Sequence, residues 1–234
     1  MHKNIPQNFD WSQYCAVIPA YNAENSLPEL VTRIKNRYPN LEILIIDDGS
    51  RIRVESYLEN KSNITIIRHK TNQGKGRALI TGLKAAQNLD KNYSICLDAD
   101  LQHDPDQIAD FVNKMIETNS DIVLGVRDIY ESMPFHRILS NTITSFLISL
   151  KTGVRVHDSQ CGYRLLALEN LNLDKFKYTG FQFESEFLLK ALAQDFCLSE
   201  IPIETIYNHS SSNIENIGDT FRFIKLYFES YFWN

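Results

Sequence analysis

Short apolar runs, each followed by polar or turn-forming residues, recur through the first half of the chain with helical patterns between them. Residues 14–18 close at Pro19, residues 41–46 at Asp47-Asp48-Gly49-Ser50, and residues 63–68 precede a glycine-rich turn. Residues 93–97 end at Asp98, and residues 121–126 form a fifth run. Runs of this length bounded by Gly, Pro and Asp read as buried strands. Ser26-Leu27-Pro28-Glu29 reads as a capped helix start, with proline and an acid in the first turn, and that helix should reach about Arg37. Further helices are predicted over residues 54–60, 77–88 and 105–118. Such alternation, with nearly all-apolar strands, predicts a mostly parallel α/β sheet covered on both faces by helices. Right-handed crossovers bring the strand carboxyl ends to one edge. Residues 19–24, 47–50 and 98–103 then converge at the edge where open α/β sheets bind ligands.

The central run carries the chemistry. Asp98-Ala99-Asp100-Leu101-Gln102-His103 places two carboxylates one residue apart. Like charges that close repel unless a cation or a hydrogen-bond network offsets them. A hard divalent ion suits oxygen donors, and Mg²⁺ held by one or two carboxylates usually also holds substrate phosphates. The competing reading is an N-cap cluster for the helix starting near Pro105.

After Val126 the alternation breaks. Residues 127–136 form a polar, proline-containing loop that would suit a mobile lid. A helical run follows from Arg137, then Ser159-Gln160-Cys161-Gly162-Tyr163-Arg164 leading into a short strand. Residues 183–194 have one apolar helical face, residues 197–203 resemble an edge strand interrupted by Pro202, and an amphipathic helix begins near Asp219. The expected organisation is an N-terminal extension over 1–12, one domain over 13–210 and an amphipathic, aromatic tail over 211–234. A formal net charge of −5 argues against a general nucleic-acid binder. Cys15, Cys96, Cys161 and Cys197 form no Cys-x-x-Cys pair, and buried reduced thiols are expected for three of them. The polar start shows no signal peptide, and no apolar stretch approaches the ~20 residues of a spanning helix. A cytoplasmic protein is expected. The run over residues 138–150 and the aromatic tail suit peripheral contact with the cytoplasmic face of a membrane.

Seven segments in order resemble the family 2 glycosyltransferases of the GT-A fold, a Rossmann-like single domain. The nearer likeness is to the dolichyl- or polyprenyl-phosphate sugar synthase branch. They are Ile18-Pro19-Ala20-Tyr21-Asn22, Asp47-Asp48-Gly49-Ser50, Asn72-Gln73-Gly74-Lys75-Gly76, residues 98–103, Arg127, Arg137-Ile138-Leu139-Ser140, and Gln160-Cys161-Gly162-Tyr163-Arg164. The resemblance implies a nucleotide-sugar donor, a polyprenyl-phosphate or other lipid or glycan acceptor, and Mg²⁺ or Mn²⁺. It implies base or ribose contacts for Pro19, Tyr21, Ile45 and Asp47, donor binding by Asp98, Ala99 and Asp100, and metal ligation by Asp100 and Gln102. Arg127 and Arg137 would grip the acceptor phosphate, for which a guanidinium fork is suited. Asp100, Arg127 and Arg137 are thus the expected catalytic residues. Gly76 ahead of a helix offers backbone N–H groups to an anion, and Lys75 either approaches the diphosphate or is solvated.

The departures are specific. The family often has Glu two residues after the Tyr, whereas here Ala23 holds that position and Glu24 follows. The basic pair before Ile/Leu-Ser is reduced to His136-Arg137. The basic loop near the C-terminal end becomes Asn208-His209-Ser210-Ser211-Ser212-Asn213, so the donor sugar stays open. Two alternatives stand beside this reading. One is the same donor site with a hydroxyl acceptor, for which Glu184 or Glu186 would serve as base. The other is a GT-A-like module that holds a nucleotide sugar without turnover.

Overall fold

Seven strands join in one sheet in the computed structural model, which describes residues 5, 9–59, 62–128, 135–180, 182–204 and 216–233. In chain order they are β1 (Tyr14–Ala20), β2 (Glu42–Asp47), β3 (Ile64–Arg68), β4 (Tyr93–Cys96), β5 (Ile122–Arg127), β6 (Arg164–Ala167) and β7 (Leu198–Ile203). The helices are α1 (Leu27–Arg37), α2 (Lys75–Asn88), α3 (Ile108–Thr118), α4 (Phe135–Thr152), α5 (Gln182–Leu192) and α6 (Asn216–Glu229). The sheet order is β3-β2-β1-β4-β6-β5-β7. Ile43, Leu44, Ile45 and Ile46 are all fully buried. Consecutive strand residues point to opposite faces, so both faces of β2 are covered. Chain order reverses between β1 and β4, whose register pairs Val17 with Cys96. That switch point opens a crevice at their carboxyl ends.

The early strands and helices match the expected elements to within a few residues. Several points differ. First, β6 is antiparallel and lies between β4 and β5, pairing Cys96 with Arg164 and Leu124 with Arg164. Its strand enters from the ligand-side edge, at Gly162 and Tyr163, and so runs against its neighbours. Second, the helix expected over 54–60 is a single 3-10 turn, Val54–Ser56. One turn suffices to bury Val54 and Leu58, and Val54 N–H is already taken by the Asp47 carboxylate at 3.3 Å. Third, residues 105–118 divide into a turn, Pro105–Gln107, and α3. Ser26 precedes α1 but makes no side-chain capping bond. Cys15, Cys96 and Cys161 are buried thiols, and Cys197 is exposed. No helix among the described residues is long and apolar enough to cross a membrane. Most of the expected 1–12 extension, most of the lid segment and the Asn208–Asn213 loop with its 210/211 boundary lie outside the described residues.

Candidate active site

At the end of β2, two neighbouring acids perform separate scaffolding tasks. Asp47 accepts from Ser50 N–H at 2.8 Å and Val54 N–H at 3.3 Å, and Arg68 pairs with its second oxygen. Burial opposes ionisation of Asp47, but these donors more than offset it and hold its carboxyl below the ordinary range. Asp48 accepts from Gln73 N–H at 2.9 Å and Gly74 N–H at 2.8 Å, and lies 2.6 Å from His69 Nδ1. It thereby ties the glycine-rich loop to the sheet edge. Gly49 sits between them at φ +75°, where a Cβ would fall 2.5 Å from the Thr71 carbonyl carbon. Both the backbone angle and the space demand glycine there.

Beyond β4, Asp98 meets the loop that Asp48 braces. Lys75 Nζ lies 2.8 Å from Asp98 and 3.1 Å from Glu184 of α5. Lys75 is thus not simply solvated: it is one cation between two acids. Burial opposes the Lys75 charge, yet Asp98 and Glu184 raise its pKa. Burial likewise opposes the charge on Asp98, while Lys75 foremost, then His103 and Arg127, hold its carboxyl down. A Cβ at Gly162 would lie 2.8 Å from Asp98 Oδ2 and 3.0 Å from Lys75 Nζ. The Gln160–Arg164 loop therefore reaches the carboxylate only because position 162 has no side chain. Glu184 is 3% exposed, and Oε2 finds no hydrogen-bond partner among the described residues.

Asp100 is exposed, and Gln102 N–H donates to its Oδ1 at 3.0 Å. The surrounding protein and then the Asp98 charge push the Asp100 carboxyl up. Leu101 between them holds φ +61°, a left-handed conformation that a branched residue adopts at a cost of about 1–3 kcal/mol. The capping alternative fails here, because Asp104 does that work by accepting from Asp106 N–H at 3.1 Å. Asp98 and Asp100 remain as two acids whose mutual repulsion is incompletely offset. Among the described residues no three His, Cys, Asp or Glu side chains gather as a metal cage. One carboxylate with a neutral amide oxygen nearby, Asp100 and Gln102, fits an ion that takes its remaining ligands from water and substrate phosphates.

Tyr21 stands 48% exposed just past β1, with Pro19 behind it. Ala99 is buried, and Ile45 is fully buried in β2 between Ile18 and Ile66, so it backs the wall without open surface. Glu24 Oε2, Glu55 Oε2 and Tyr57 OH are buried without hydrogen-bond partners among the described residues. Burial first, then the charges of Asp47, Glu24 and Glu55, push the Tyr57 phenol up to about 12. Two carboxylate oxygens and one phenol, itself able to donate, are thus left without partners near the end of β2. Sequence reasoning missed Tyr57 and Glu55 because they lie in an unremarkable turn.

Arg127 closes β5. Its Nε and Nη2 donate to the two oxygens of Asp158 at 2.7 and 2.9 Å, and its backbone N–H adds a third bond at 3.2 Å. Asp158 is 1% exposed and also accepts from Asn141 of α4 at 3.0 Å. Burial opposes its charge, but Arg127 more than compensates and keeps its carboxyl low. Arg137 lies in the first turns of α4, and its Nε is buried without a partner among the described residues. Arg164, 4% exposed, donates to the carbonyls of Cys161, Ser159 and Glu184 at 2.7, 2.8 and 3.2 Å, buttressing the loop that carries Gly162. Glu186 is spent on structure: it accepts from Lys177 N–H, Tyr178 N–H and Lys190 Nζ. Asp48, Asp158 and Arg164 escaped sequence reasoning. Asp48 and Arg164 were marked only by position within a motif and Asp158 by nothing, and their roles depend on partners far along the chain.

Residues 15–174 match the family described as glycosyl transferase family 2. The chain is 33% identical over 218 residues to the UDP-N-acetylglucosamine–dolichyl-phosphate N-acetylglucosaminyltransferase of Methanococcus voltae, covering 83% of this chain and 86% of that one. It is 27% identical over 205 residues to the polyprenol monophosphomannose synthase of Mycolicibacterium smegmatis, covering 80% and 75%. The fold superposes with a TM-score of 0.71 and 16% identity on glucosyl-3-phosphoglycerate synthase from Mycobacterium tuberculosis in complex with Mn²⁺, UDP and phosphoglyceric acid, covering 93% of this chain and 78% of that one. By sequence match and by fold, the chain belongs to glycosyl transferase family 2 and is a glycosyltransferase of the GT-A fold.

Proposed function

We propose that this protein transfers a sugar from a nucleotide diphosphate-sugar to the phosphate of a polyprenyl or dolichyl lipid, at a membrane surface. The observation that supports the reading is geometric. β4 and β5 both run antiparallel to β6, so Asp98 beyond the end of β4 and Arg127 at the end of β5 lie toward the same edge of the sheet. The names of the Methanococcus voltae and Mycolicibacterium smegmatis relatives supply the lipid-phosphate class. On the donor side, Tyr21 offers a ring face and Asp47, Glu24 and Tyr57 offer polar groups for a nucleoside. Asp100 and Gln102 would hold Mg²⁺ or Mn²⁺, which supplies charge neutralisation for the departing diphosphate. An oxygen of the acceptor phosphate attacks the anomeric carbon from the face opposite the leaving group. The carbon–oxygen bond to the β-phosphate breaks, and configuration inverts. The acceptor is ionised at neutral pH, so no base is needed. Arg127, held by Asp158, and Arg137 orient the phosphate. Rate then comes from proximity and fixed charge.

A hydroxyl acceptor is the second reading, favoured by one observation: Glu184 Oε2 is buried and unpartnered beside Asp98 and Lys75. The test begins with thermal shift against UDP- and GDP-sugars with and without Mn²⁺, UDP-N-acetylglucosamine first. Labelled donor is then offered with polyprenyl phosphate or the unphosphorylated polyprenol. Label on the phosphate alone is expected. Arg137→Ala should lower kcat/KM for the lipid phosphate by about 10–100-fold, the loss of one or two charge-assisted bonds. Equal labelling of the alcohol, abolished by Glu184→Gln, would establish the second reading instead.

A further inference from the structure

The glycine-rich turn is gripped from outside by a segment a hundred residues onward in the fold, between β6 and α5. The N–H groups expected to face an anion at the start of α2 are partly taken: Arg77 N–H donates to the Thr179 carbonyl at 3.1 Å. A Cβ at Gly74 would fall 2.6 Å from that same carbonyl oxygen. One at Gly76 would fall 2.6 Å from the Phe183 Cβ and 2.8 Å from the Gly180 carbonyl oxygen. Part of the expected anion cradle is thus a seat for protein backbone. Residues 177–180 lie directly on it, beside Lys75, whose Nζ reaches Asp98 at 2.8 Å and Glu184 at 3.1 Å.

Two acids hold that segment, in different ways. Glu186 of α5 is fully buried and accepts from Lys177 N–H and Tyr178 N–H, both at 2.9 Å, while Lys190 Nζ meets its charge at 2.6 Å. This bond set belongs to the core. Glu229, the last residue of α6, acts from the surface. Tyr178 OH donates to its Oε2 at 2.8 Å, and Lys177 Nζ lies 3.2 Å from the same oxygen. These partners, the phenol foremost, keep the Glu229 carboxyl below its ordinary range, so the grip is a charged one at neutral pH. Helix α6 stays attached without it, because Phe223, Leu226 and Tyr227 of the same helix are buried. Apolar burial on that scale outweighs a partly exposed ion pair in stability. An interaction that the fold does not need, one residue from Thr179, bears on where the segment sits.

We infer that Tyr178 and Glu229 are positioning residues: they hold residues 177–180 on the start of α2 and so set Lys75 against Asp98. The C-terminal helix is then a strut for the donor side of the site. Its effect on donor binding rests on the donor site proposed above, whereas the strut itself is measurable without turnover. Hydrogen exchange of the Arg77 amide in the full chain reports the seat directly. Glu229→Ala and Tyr178→Phe should each speed that exchange about threefold to tenfold, as expected for loss of one charge-assisted bond at a partly exposed position. Glu229→Gln should restore most of the protection, since its amide oxygen still accepts from Tyr178. Thermal midpoint and circular dichroism should match wild type in all three. Calorimetric titration of UDP and of GDP with Mn²⁺ should show the nucleotide that binds losing affinity by a similar factor. The double variant should fall little further than Glu229→Ala alone, because both substitutions break the same bond. In turnover, donor KM should rise by that factor while acceptor KM stays unchanged, a split that general loosening of the fold would not produce. Arg77 exchange unchanged in both single variants, single-variant effects that simply add, or donor and acceptor KM rising together would overturn the inference. Wild type binding neither nucleotide, with Arg77 exchange responding as described, would instead refute the donor site and leave the strut standing.

Discussion

In the half of the molecule built on β1 to β4, apolar strands carry polar tips: Ile43–Ile46 are fully buried, and Asp47, Asp48, Asp98 and Asp100 stand at or beyond the strand ends. In the half built on α4, polar groups form the interior, with Asn141, Ser145, Asp158, Ser159 and Arg164 all buried and bonded to one another or to backbone. The first design draws its stability from apolar burial, uses Asp47 and Asp48 as buried braces, and leaves Asp100 exposed at the sheet edge. The second places Arg127 through a buried ion pair, which is stabilising only while every partner is present. The first half should therefore tolerate loss of Asp100, and the second should not tolerate loss of Asp158.

The largest expected effect sharpens that contrast. Asp158→Ala leaves Arg127 and Asn141 without their shared acceptor and should cost about 3–5 kcal/mol of stability, read by urea denaturation. Because the Asp158 carboxyl is held below its ordinary value of 3.8, its contribution is present above that pH and lost as pH falls through the depressed value. The acid limb of stability attributable to this group should be missing in the variant. Next, Asp100→Asn should lower kcat by about 10²–10³ while leaving the thermal midpoint unchanged or raised. The sign follows from its raised carboxyl: the charged form is less favoured in the folded than in the unfolded state, so at neutral pH neutralising it relieves the fold. Any rise in midpoint on adding Mn²⁺ should vanish in this variant, and a midpoint well below wild type would break the comparison. The smallest effect is Ser145→Ala, about 1 kcal/mol for one network hydroxyl, with acceptor kinetics unchanged.

How legible each half was follows the same division. Strand ends and the acids on them are local features, so Asp47, Asp98 and Asp100 were found from a few residues of context. Lys75 was found as well, though its engagement with Asp98 and Glu184 needed α5 brought beside α2. The antiparallel β6 was illegible because four apolar residues carry no direction. On α4 the period was readable but its polarity was not: a Ser- and Thr-rich helix reads as weakly amphipathic until Asp158 and Ser159 supply an interior. Arg127 was located by motif, while the acid holding it lies 31 residues onward.

Leu101 and its left-handed backbone carry a last implication. The bend that separates Asp100 from Gln102 is imposed when the chain folds, before any cation or diphosphate arrives. A wall shaped in advance surrenders little conformational freedom on binding, so on the proposed reading the orientation of incoming phosphate oxygens would be set by the fold itself. Relaxing that one residue would leave every oxygen proposed as a ligand present and blur where they point.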